Sequence, residues 1–591
     1  MQLHARRRHA LARCRALITA AAVVLALAAL LCFSRVPPGG LLAAPAQALQ
    51  LTPARRLHVR LGAVKSSTAT DTPASGGSRH RSTTWVDAAV LLPDWEVLVL
   101  LRPDTPAVDA TGNATCRFRG GASSPARALG RLPAPATSGR RAYSCVVPVP
   151  ARGHKTLPAP QLVVTPYSSW TSKKKIPTST GGGGRSPEML KWSGRLVYES
   201  AVVDGGDVLV FAKGVNPRQG VNRPASDIQC VYYRRGDDDN ADHVVATLPA
   251  ATSAQQVIRC PPPPTPVQQE PQELRVTLAV TGQEPLPSLA LYAPPWSGST
   301  STLAPEKKLI CACTMVRDVA KFLPEWVVYH AAVGVDKFYL YDNGSEDDLA
   351  DQLHQLSSAG YDISTVAWPW TKAQEAGFSH SAAVHQNLCE WMAFIDVDEF
   401  IFSPRWNQSD IPDASSMLRS VVSSLEPDVG QVSLGCADFG PSGQIGNPKE
   451  GVTQGYTCRR RTHERHKSLL RLDAVDDSLV NSIHHFALRP GFRGEWNKQV
   501  RVNHYKYQAW EEFKVKFRRR VSTYVADWTD PVNLKSKDRT PGLGFEAVEP
   551  VDWKNKFCEV NDNLLRDATR RWFGVGFGNG PARPRTGTSS S

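Results

Sequence analysis

Hydrophobic positions after residue 305 fall into short apolar runs, which are separated by stretches with helical spacing. Apolar runs of this kind predict strands, and the stretches between them predict amphipathic helices. The predicted strands are 309–315, 337–341 and 391–395, with a further strand between the last two. The predicted helices are 324–332, 345–360 and 379–389. Repeated βα units predict a parallel, Rossmann-like sheet.

Residues with capping preferences mark the ends of these helices. Gly334 is expected to end the first helix, Ser345 and Asp348 to open the second as a capping box, and Ser379 to open the third. The α/β domain is predicted to span 306–574 and to be followed by a disordered tail, 575–591, rich in Gly, Arg, Pro, Ser and Thr.

The chain before residue 305 has a different pattern. Short apolar runs divided by Gly and Pro predict a β-rich accessory region over 81–300. Residues 34–80 are rich in Pro, Ala, Ser, Thr and Gly, which predicts a flexible stem.

Charge is concentrated at the N-terminus. The net charge is +14, but the first 70 residues hold ten Lys or Arg and no Asp or Glu, so the rest carries only +4. A nucleic-acid partner is therefore not expected.

The apolar run 16–33 follows the basic tail 1–15, which predicts a transmembrane signal anchor with single-pass type II topology. Small residues at 46–48 leave a cleaved signal peptide open as the alternative.

Lumenal exposure would let the twelve cysteines form disulfides. Cys311 and Cys313 fall on one face of a predicted strand, and buried core thiols are expected there. Three neighbouring pairs are expected to staple loops, namely Cys116 with Cys145, Cys230 with Cys260, and Cys436 with Cys458.

Acidic residues follow two of the predicted strands. Asp342 and Asn343 lie in the turn after the second strand, and Asp396 and Asp398 follow the fourth. Ligands bind beyond the carboxyl ends of strands in such sheets, and paired carboxylates hold a divalent cation that neutralises a diphosphate. This arrangement predicts a nucleotide-sugar transferase of GT-A type. A dehalogenase-type phosphatase is not expected, because Phe400 stands where that class has Thr.

Several longer motifs carry a resemblance to a known family. They are the segments 341–343, 368–370, 374–380, 394–400, 464–468, 484–486, 502–507 and 541–544. Through them the chain resembles glycosyltransferase family 92 over about 310–560, and within it the plant galactan β-1,4-galactosyltransferases. Those are Golgi enzymes that extend pectin side chains of the cell wall from UDP-galactose, and they also have a β-rich, carbohydrate-binding-like domain before the catalytic one.

The resemblance implies an inverting, metal-dependent transfer of galactose from UDP-galactose to a β-1,4-galactan acceptor. Asp396 and Asp398 are the implied ligands of Mn²⁺, and His504 is expected to complete the metal shell, with a buried structural histidine as the alternative. Asp342, Asn343 and Lys506 are assigned to the nucleotide side; turn formation alone would also explain Asp342.

An inverting transfer needs a base near the acceptor hydroxyl, and Glu464 is the predicted base. Glu399 and Asp438 are its rivals. Trp368 and Trp370 are expected either to stack on a sugar or to pack in the core.

Three questions stay open from the sequence. The chain could use another donor or acceptor, or be a lumenal carbohydrate-binding protein that has lost catalysis. Assembly into a homo-oligomer is also undecided.

N-glycosylation sequons begin at Asn113, Asn343 and Asn407, and the second is expected to be unmodified because it would line the donor crevice.

Overall fold

The structure is a computed structural model. It describes residues 82–577 except 85, 103–104, 106–112, 134–138, 154–155, 166–187, 217–219, 237–241, 269–272, 294–305, 464, 484 and 517–548. The predicted basic tail, anchor and stem lie outside the described residues. Within the described part, no helix combines the length and apolar character needed to cross a membrane.

The accessory region consists of mainly antiparallel sheets in which runs of Val and Leu are buried, and β2 and β8 form a parallel pair. One eight-stranded sheet has the order β1-β7-β4-β5-β6-β3-β2-β8, and two four-stranded sheets have the orders β13-β14-β10-β9 and β12-β11-β15-β16. One short helix, Thr265–Gln268, lies among them. The strands are β1 Ser82–Thr84, β2 Val86–Leu91, β3 Glu96–Leu101, β4 Asn113–Arg117, β5 Ser123–Arg131, β6 Arg141–Val146, β7 Gln161–Thr165, β8 Leu190–Lys191, β9 Leu196–Val202, β10 Val208–Lys213, β11 Ile228–Arg234, β12 His243–Pro249, β13 Thr252–Ala254, β14 Val257–Cys260, β15 Leu274–Val280 and β16 Leu291–Tyr292.

The following part is α/β, built on an eight-stranded sheet of order β19-β18-β17-β20-β24-β22-β25-β21. Its strands, with the separate pair β23 and β26, are β17 Lys308–Val316, β18 Lys337–Asp342, β19 Ile363–Ala367, β20 Cys389–Phe394, β21 Glu399–Phe402, β22 Val429–Asp438, β23 Cys458–Arg459, β24 His466–Arg471, β25 Arg493–His504 and β26 Val560–Asn561. Its α-helices are Leu323–Val333, Leu349–Ser358, Gln374–Val384, Leu418–Ser423, Val452–Gly455 and Leu564–Phe573, and a further helix is described over 510–516.

The predicted parallel sheet forms one half of the observed sheet. Four neighbouring strands of this sheet run parallel to one another, namely β19, β18, β17 and β20. They confirm the four strands expected from the sequence pattern. Strand β24 then runs antiparallel to both β20 and β22, so the complete sheet is mixed. The predicted tail also begins with structure, because Val575–Phe577 forms a 3-10 turn.

Two of the predicted helix starts are wrong, while the end at Gly334 is confirmed. The second helix starts after Asp348, and the Ser345 hydroxyl instead donates to Asp342. The third helix starts after Ala373, which places Ser379 in its interior, where its hydroxyl donates to the Leu479 carbonyl.

The cysteine pairing is partly as predicted. Disulfides Cys116–Cys145 and Cys230–Cys260 are confirmed. The other two predictions are corrected, because Cys458 bonds Cys558 and leaves Cys436 a buried thiol, and Cys311 bonds Cys389 across adjacent strands. Only Cys313 of the predicted thiol pair is a free core thiol. Sequence order suggested near neighbours, whereas the sheet brings distant cysteines together.

Candidate active site

The carboxyl ends of the parallel strands meet at one edge of the sheet. Asp342 ends β18 and Asp396 follows β20, and both strands flank β17. The structure therefore places the two predicted acidic segments at the same edge, with one strand between them. This is the edge where ligands bind in open α/β sheets.

Three functional side chains lie level with one another across neighbouring strands at this edge. His504 is the last residue of β25, and it pairs in register with Asp438 on β22 and with Glu399 on β21. The His504 Nδ1 atom lies 3.1 Å from Asp438 Oδ1. Its Nε2 atom lies 3.4 Å from Asp398 Oδ2 and 3.7 Å from Glu399 Oε1. The predicted association of His504 with the Asp398 segment is thus present in the fold.

The partner of Nδ1 fixes which nitrogen of His504 carries a proton. Burial alone raises the pKa of Asp438, but the hydrogen bonds and charges of His504 and Lys506 bring it well below its ordinary value. An ionised carboxylate only accepts hydrogen bonds, so Nδ1 is the donor. When the ring carries only this one proton, Nε2 is the nitrogen that can bind a cation beside Asp398. A histidine held by a carboxylate in this way is oriented for metal binding.

A buried lysine holds the neighbouring carboxylates together. Lys467 Nζ lies 2.9 Å from Asp396 Oδ2 and 2.9 Å from Glu399 Oε2. Burial alone would lower the pKa of Lys467, but these two carboxylates raise it, so the ammonium stays charged. Sequence reasoning did not give Lys467 a role. Its position in β24, directly beside the acidic turn after β20, becomes evident only from the strand order.

The donor atoms at this edge suit a divalent cation. Asp396 and Asp398 offer carboxylate oxygens and His504 offers a nitrogen, a set that Mn²⁺ accepts. Glu399 Oε1 is buried without a hydrogen-bond partner and faces His504 Nε2. Among the residues that the structure describes, no three His, Cys, Asp or Glu side chains converge as a complete metal site. The Lys516 ammonium contacts Asp398, so a single positive charge already lies beside this carboxylate.

The turn after β18 is formed by its own hydrogen bonds. Asp342 Oδ1 accepts from the backbone nitrogens of Gly344 and Ser345 at 3.1 and 2.8 Å, and burial raises the pKa of this carboxyl. Asn343 Nδ2 donates to the carbonyl of Trp368 at 2.7 Å. Arg127 of the accessory region donates to the Ser345 carbonyl at 2.6 Å. The turn-forming alternative for Asp342 is therefore present, and a nucleotide role remains a prediction.

Trp368 and Trp370 pack between the two parts of the chain. Both are fully buried, so the prediction of core packing is confirmed and direct stacking on a sugar is excluded. Trp370 stacks on Trp192 with ring centroids 5.7 Å apart, and Trp368 packs edge-on against Phe211 at 5.7 Å. The accessory region is thus joined to the α/β part through an aromatic core.

The remaining predicted site residues have separate outcomes. Glu464 lies outside the described residues. Lys506 donates to Asp438 Oδ2 at 3.0 Å, which places it beside the carboxylate that holds His504. Asp438 is a poor base because its partners hold its pKa low, and Glu399 Oε2 accepts from the Asp396 backbone nitrogen. Asp438 and Glu399, the alternatives to Glu464 as the base, therefore both hold neighbouring residues in position.

Replacing His504 with alanine should raise the Mn²⁺ concentration required for half-maximal transfer. Asp438→Ala should raise it about tenfold to a hundredfold, since it removes the acceptor that orients the imidazole. His354→Ala is the matched control, because this histidine is exposed on a helix. The measurement is a Mn²⁺ titration of activity. Identical titrations for all three variants would assign His504 a structural role only.

Asn343 should carry no glycan in active protein, although it begins a sequon. Its Nδ2 atom is the attachment point of an N-glycan, and that atom donates to two backbone carbonyls, of Trp368 and Trp370. A glycan would replace one of the two Nδ2 hydrogens and so break at least one of these bonds, at the edge that holds the acidic residues. Glycopeptide mass spectrometry of catalytically competent protein measures the occupancy, and a largely occupied Asn343 would contradict this placement. Of the other two sequon residues, Asn113 begins β4, and Asn407 lies in the 3-10 turn Pro404–Gln408.

Comparison with solved structures gives a distant match. A mannosyltransferase from Pyrobaculum calidifontis, solved in complex with GDP-Man and Mn²⁺, aligns with a TM-score of 0.23 and 11% identity. The alignment covers 45% of this chain and 75% of that chain. A score of this size does not establish a shared fold.

Comparison with known sequences is decisive for the family. The family model for glycosyltransferase family 92 matches residues 306–539. Family 92 proteins of Oryza sativa subsp. japonica and Arabidopsis thaliana are 40% and 41% identical over 65% of this chain, which covers 67% of each relative. One from Ricinus communis is 40% identical over 69% of this chain and 73% of its own length. The chain therefore belongs to glycosyltransferase family 92, and it is a glycosyltransferase.

Proposed function

We propose that this glycosyltransferase transfers galactose from UDP-galactose to a growing β-1,4-galactan with inversion at the anomeric carbon. The observation that carries the proposal is the arrangement of His504, whose Nδ1 is held by Asp438 and whose Nε2 faces Asp398. A histidine and two carboxylates at this edge of the sheet suit an enzyme that binds a nucleotide diphosphate together with Mn²⁺. The galactan acceptor rests on the resemblance described above.

Asp396, Asp398 and His504 are the residues that would hold the cation, which would neutralise charge on the leaving diphosphate. Lys467 holds Asp396 and Glu399 in place from beneath, and Asp438 fixes the imidazole of His504. The acceptor oxygen bonds to the anomeric carbon as the bond to UDP breaks, and the acceptor proton passes to a base. We assign that proton transfer to Glu464.

We also propose a Golgi location, with residues 16–33 as the membrane anchor and the catalytic part in the lumen. Four disulfides support an oxidising compartment. Two of them lie in the accessory region and two in the α/β part. Imaging of a tagged full-length chain, with protease protection of the tag, tests this location and its topology.

A lumenal carbohydrate-binding protein without catalysis is the second candidate. It is favoured by one observation, namely that each carboxylate of the proposed metal pair already contacts a lysine, Lys467 or Lys516. If those contacts persist with donor present, the cation would have to share each carboxylate with an ammonium group.

The deciding experiment incubates full-length purified protein with individual UDP-hexoses, Mn²⁺ and β-1,4-galactan oligosaccharides. Extension of the oligosaccharide with UDP-galactose supports the proposed transferase. Extension with a different hexose would replace the donor, and oligosaccharide binding without any transfer would support the second candidate. Oligosaccharides of unrelated linkage provide the control for acceptor choice.

A further inference from the structure

Trp496 is an unusually exposed aromatic side chain on the catalytic sheet. It is 59% exposed, whereas Trp326, Trp368 and Trp553 are almost completely buried. A tryptophan ring is a large apolar surface, and leaving it in water forgoes much of its burial energy. Exposed aromatic surface of this kind marks a binding site when it belongs to a larger feature.

Trp496 belongs to a group of three rings, the exposed ring group, made of Trp496, His466 and His485. The His466 ring lies 4.8 Å from the Trp496 ring and 5.2 Å from the His485 ring, centroid to centroid. His466 and His485 are stacked with an interplanar angle of 22°. The packed rings hold the indole in place, and the imidazoles add hydrogen-bonding atoms beside an apolar face.

The exposed ring group lies near the strand that leads to Asp396. His466 directly precedes Lys467, which contacts Asp396, although successive strand residues point to opposite faces of the sheet. Trp496 pairs in register with Ser433, Ser433 with Ser468, and Ser468 with Phe394. Residues paired in register share one face of a sheet. The rings therefore lie on the face that carries Phe394, the strand residue two positions before Asp396.

The strand order also gives the lateral spacing between Trp496 and the strand that leads to Asp396. Trp496 lies three strands away from the strand that leads to Asp396, which corresponds to about 14 Å. This distance is greater than the length of a single hexose. A ligand on the rings that also reaches the catalytic edge must be an extended molecule, such as an oligosaccharide chain.

We propose that the exposed ring group is an acceptor subsite that binds a sugar residue of the acceptor chain several units away from the reacting end. This inference rests on the proposed function, because it takes the acceptor to be an oligosaccharide. The apolar face of a pyranose stacks on the indole, and its hydroxyl groups bond to the imidazoles. The subsite lets the enzyme bind long acceptors more tightly than short ones.

The test measures KM for the acceptor as a function of its length, using β-1,4-galactan oligosaccharides from two to eight residues. For Trp496→Ala, we expect KM for the long oligosaccharides to rise about fivefold to tenfold, with KM for the disaccharide and for the donor unchanged. Trp496→Phe should restore most of the length dependence. Trp95→Ala is the matched control, since Trp95 is the other exposed tryptophan named among the described residues and lies in the accessory region.

The outcomes separate the two proposals. If wild type transfers galactose and the dependence of KM on acceptor length is the same in Trp496→Ala, the subsite is overturned. The proposed transferase activity is then unaffected. If wild type transfers nothing, the proposed function fails, and the indole Nε1–H resonance of Trp496 titrated with galactohexaose still tests the subsite. An unshifted resonance would overturn it. A change of oligomeric state in Trp496→Ala, without a change in KM, would show that a second copy covers the rings and would also overturn it.

Discussion

Asp398→Ala should abolish sugar transfer while the protein stays folded. The side chain of Asp398 faces His504 Nε2, and its loss removes one of the two carboxylates proposed to hold the cation. We expect a loss of about three orders of magnitude or more in kcat/KM, because the charge stabilisation supplied at a metal is worth several kcal/mol. The fold should survive, because the backbone carbonyl of Asp398 still accepts from the Tyr505 nitrogen.

Asp362→Ala is the matched control for this loss. Asp362 pairs with Lys337 at the amino ends of β18 and β19, opposite to the catalytic edge. Its replacement should leave transfer and thermal stability nearly unchanged. Initial rates at saturating Mn²⁺ and circular dichroism of each variant make the comparison. Turnover near the wild-type value in Asp398→Ala would remove Asp398 from the proposed metal site.

Lys467→Met should destabilise the protein strongly. The Lys467 side chain is 3% exposed and contacts two carboxylates, and the Glu399 side chain is only 1% exposed. Removing one partner of a buried ion pair leaves an uncompensated buried charge and costs about 3 to 5 kcal/mol. We expect a clear fall in apparent melting temperature and weaker Mn²⁺ binding, because Asp396 loses the contact that positions it.

Lys337→Met is the corresponding control, since the Lys337–Asp362 pair is partly exposed at the sheet edge. Such pairs contribute about 1 kcal/mol or less. Melting curves recorded at the same heating rate measure both variants. Equal shifts for Lys337→Met and Lys467→Met would contradict the importance assigned to the buried lysine. A double variant, Lys467→Met with Glu399→Gln, should recover part of the lost stability, because it also removes the stranded charge.

The strands of the parallel half could be predicted because their signal is local. Each is a short apolar run, and all four occur where the pattern places them. Helix starts were less accurate, since Ser345 and Ser379 have other partners in the folded chain. Gly377 explains why the third helix starts before Ser379. A Cβ atom there would lie 2.9 Å from Met315 Cε, so the absence of a side chain lets the helix pack closely on the sheet. Glycine has a low helix propensity, and its presence therefore hid the true start of this helix in the sequence.

The acidic residues of the site could be predicted from the sequence, but the residues that hold them in position could not. Asp396 and Asp398 follow a recognisable apolar strand, whereas Asp438 and Lys467 gain their roles from register across β22, β24 and β25. Register between strands far apart in sequence has no local signal. The disulfide between Cys311 and Cys389 shows the same limit, because it joins strands separated by three α-helices and two other strands.

The most direct test of the account is the configuration and metal dependence of the product. Full-length protein is incubated with UDP-galactose and a galactan oligosaccharide, once with Mn²⁺ and once with a chelator, and the new anomeric signal is followed by proton NMR. We predict a new β-linked galactose that appears with Mn²⁺ and is absent with the chelator. An α-linked product, or equal β-linked product in both samples, would contradict an inverting, metal-dependent transfer at this site.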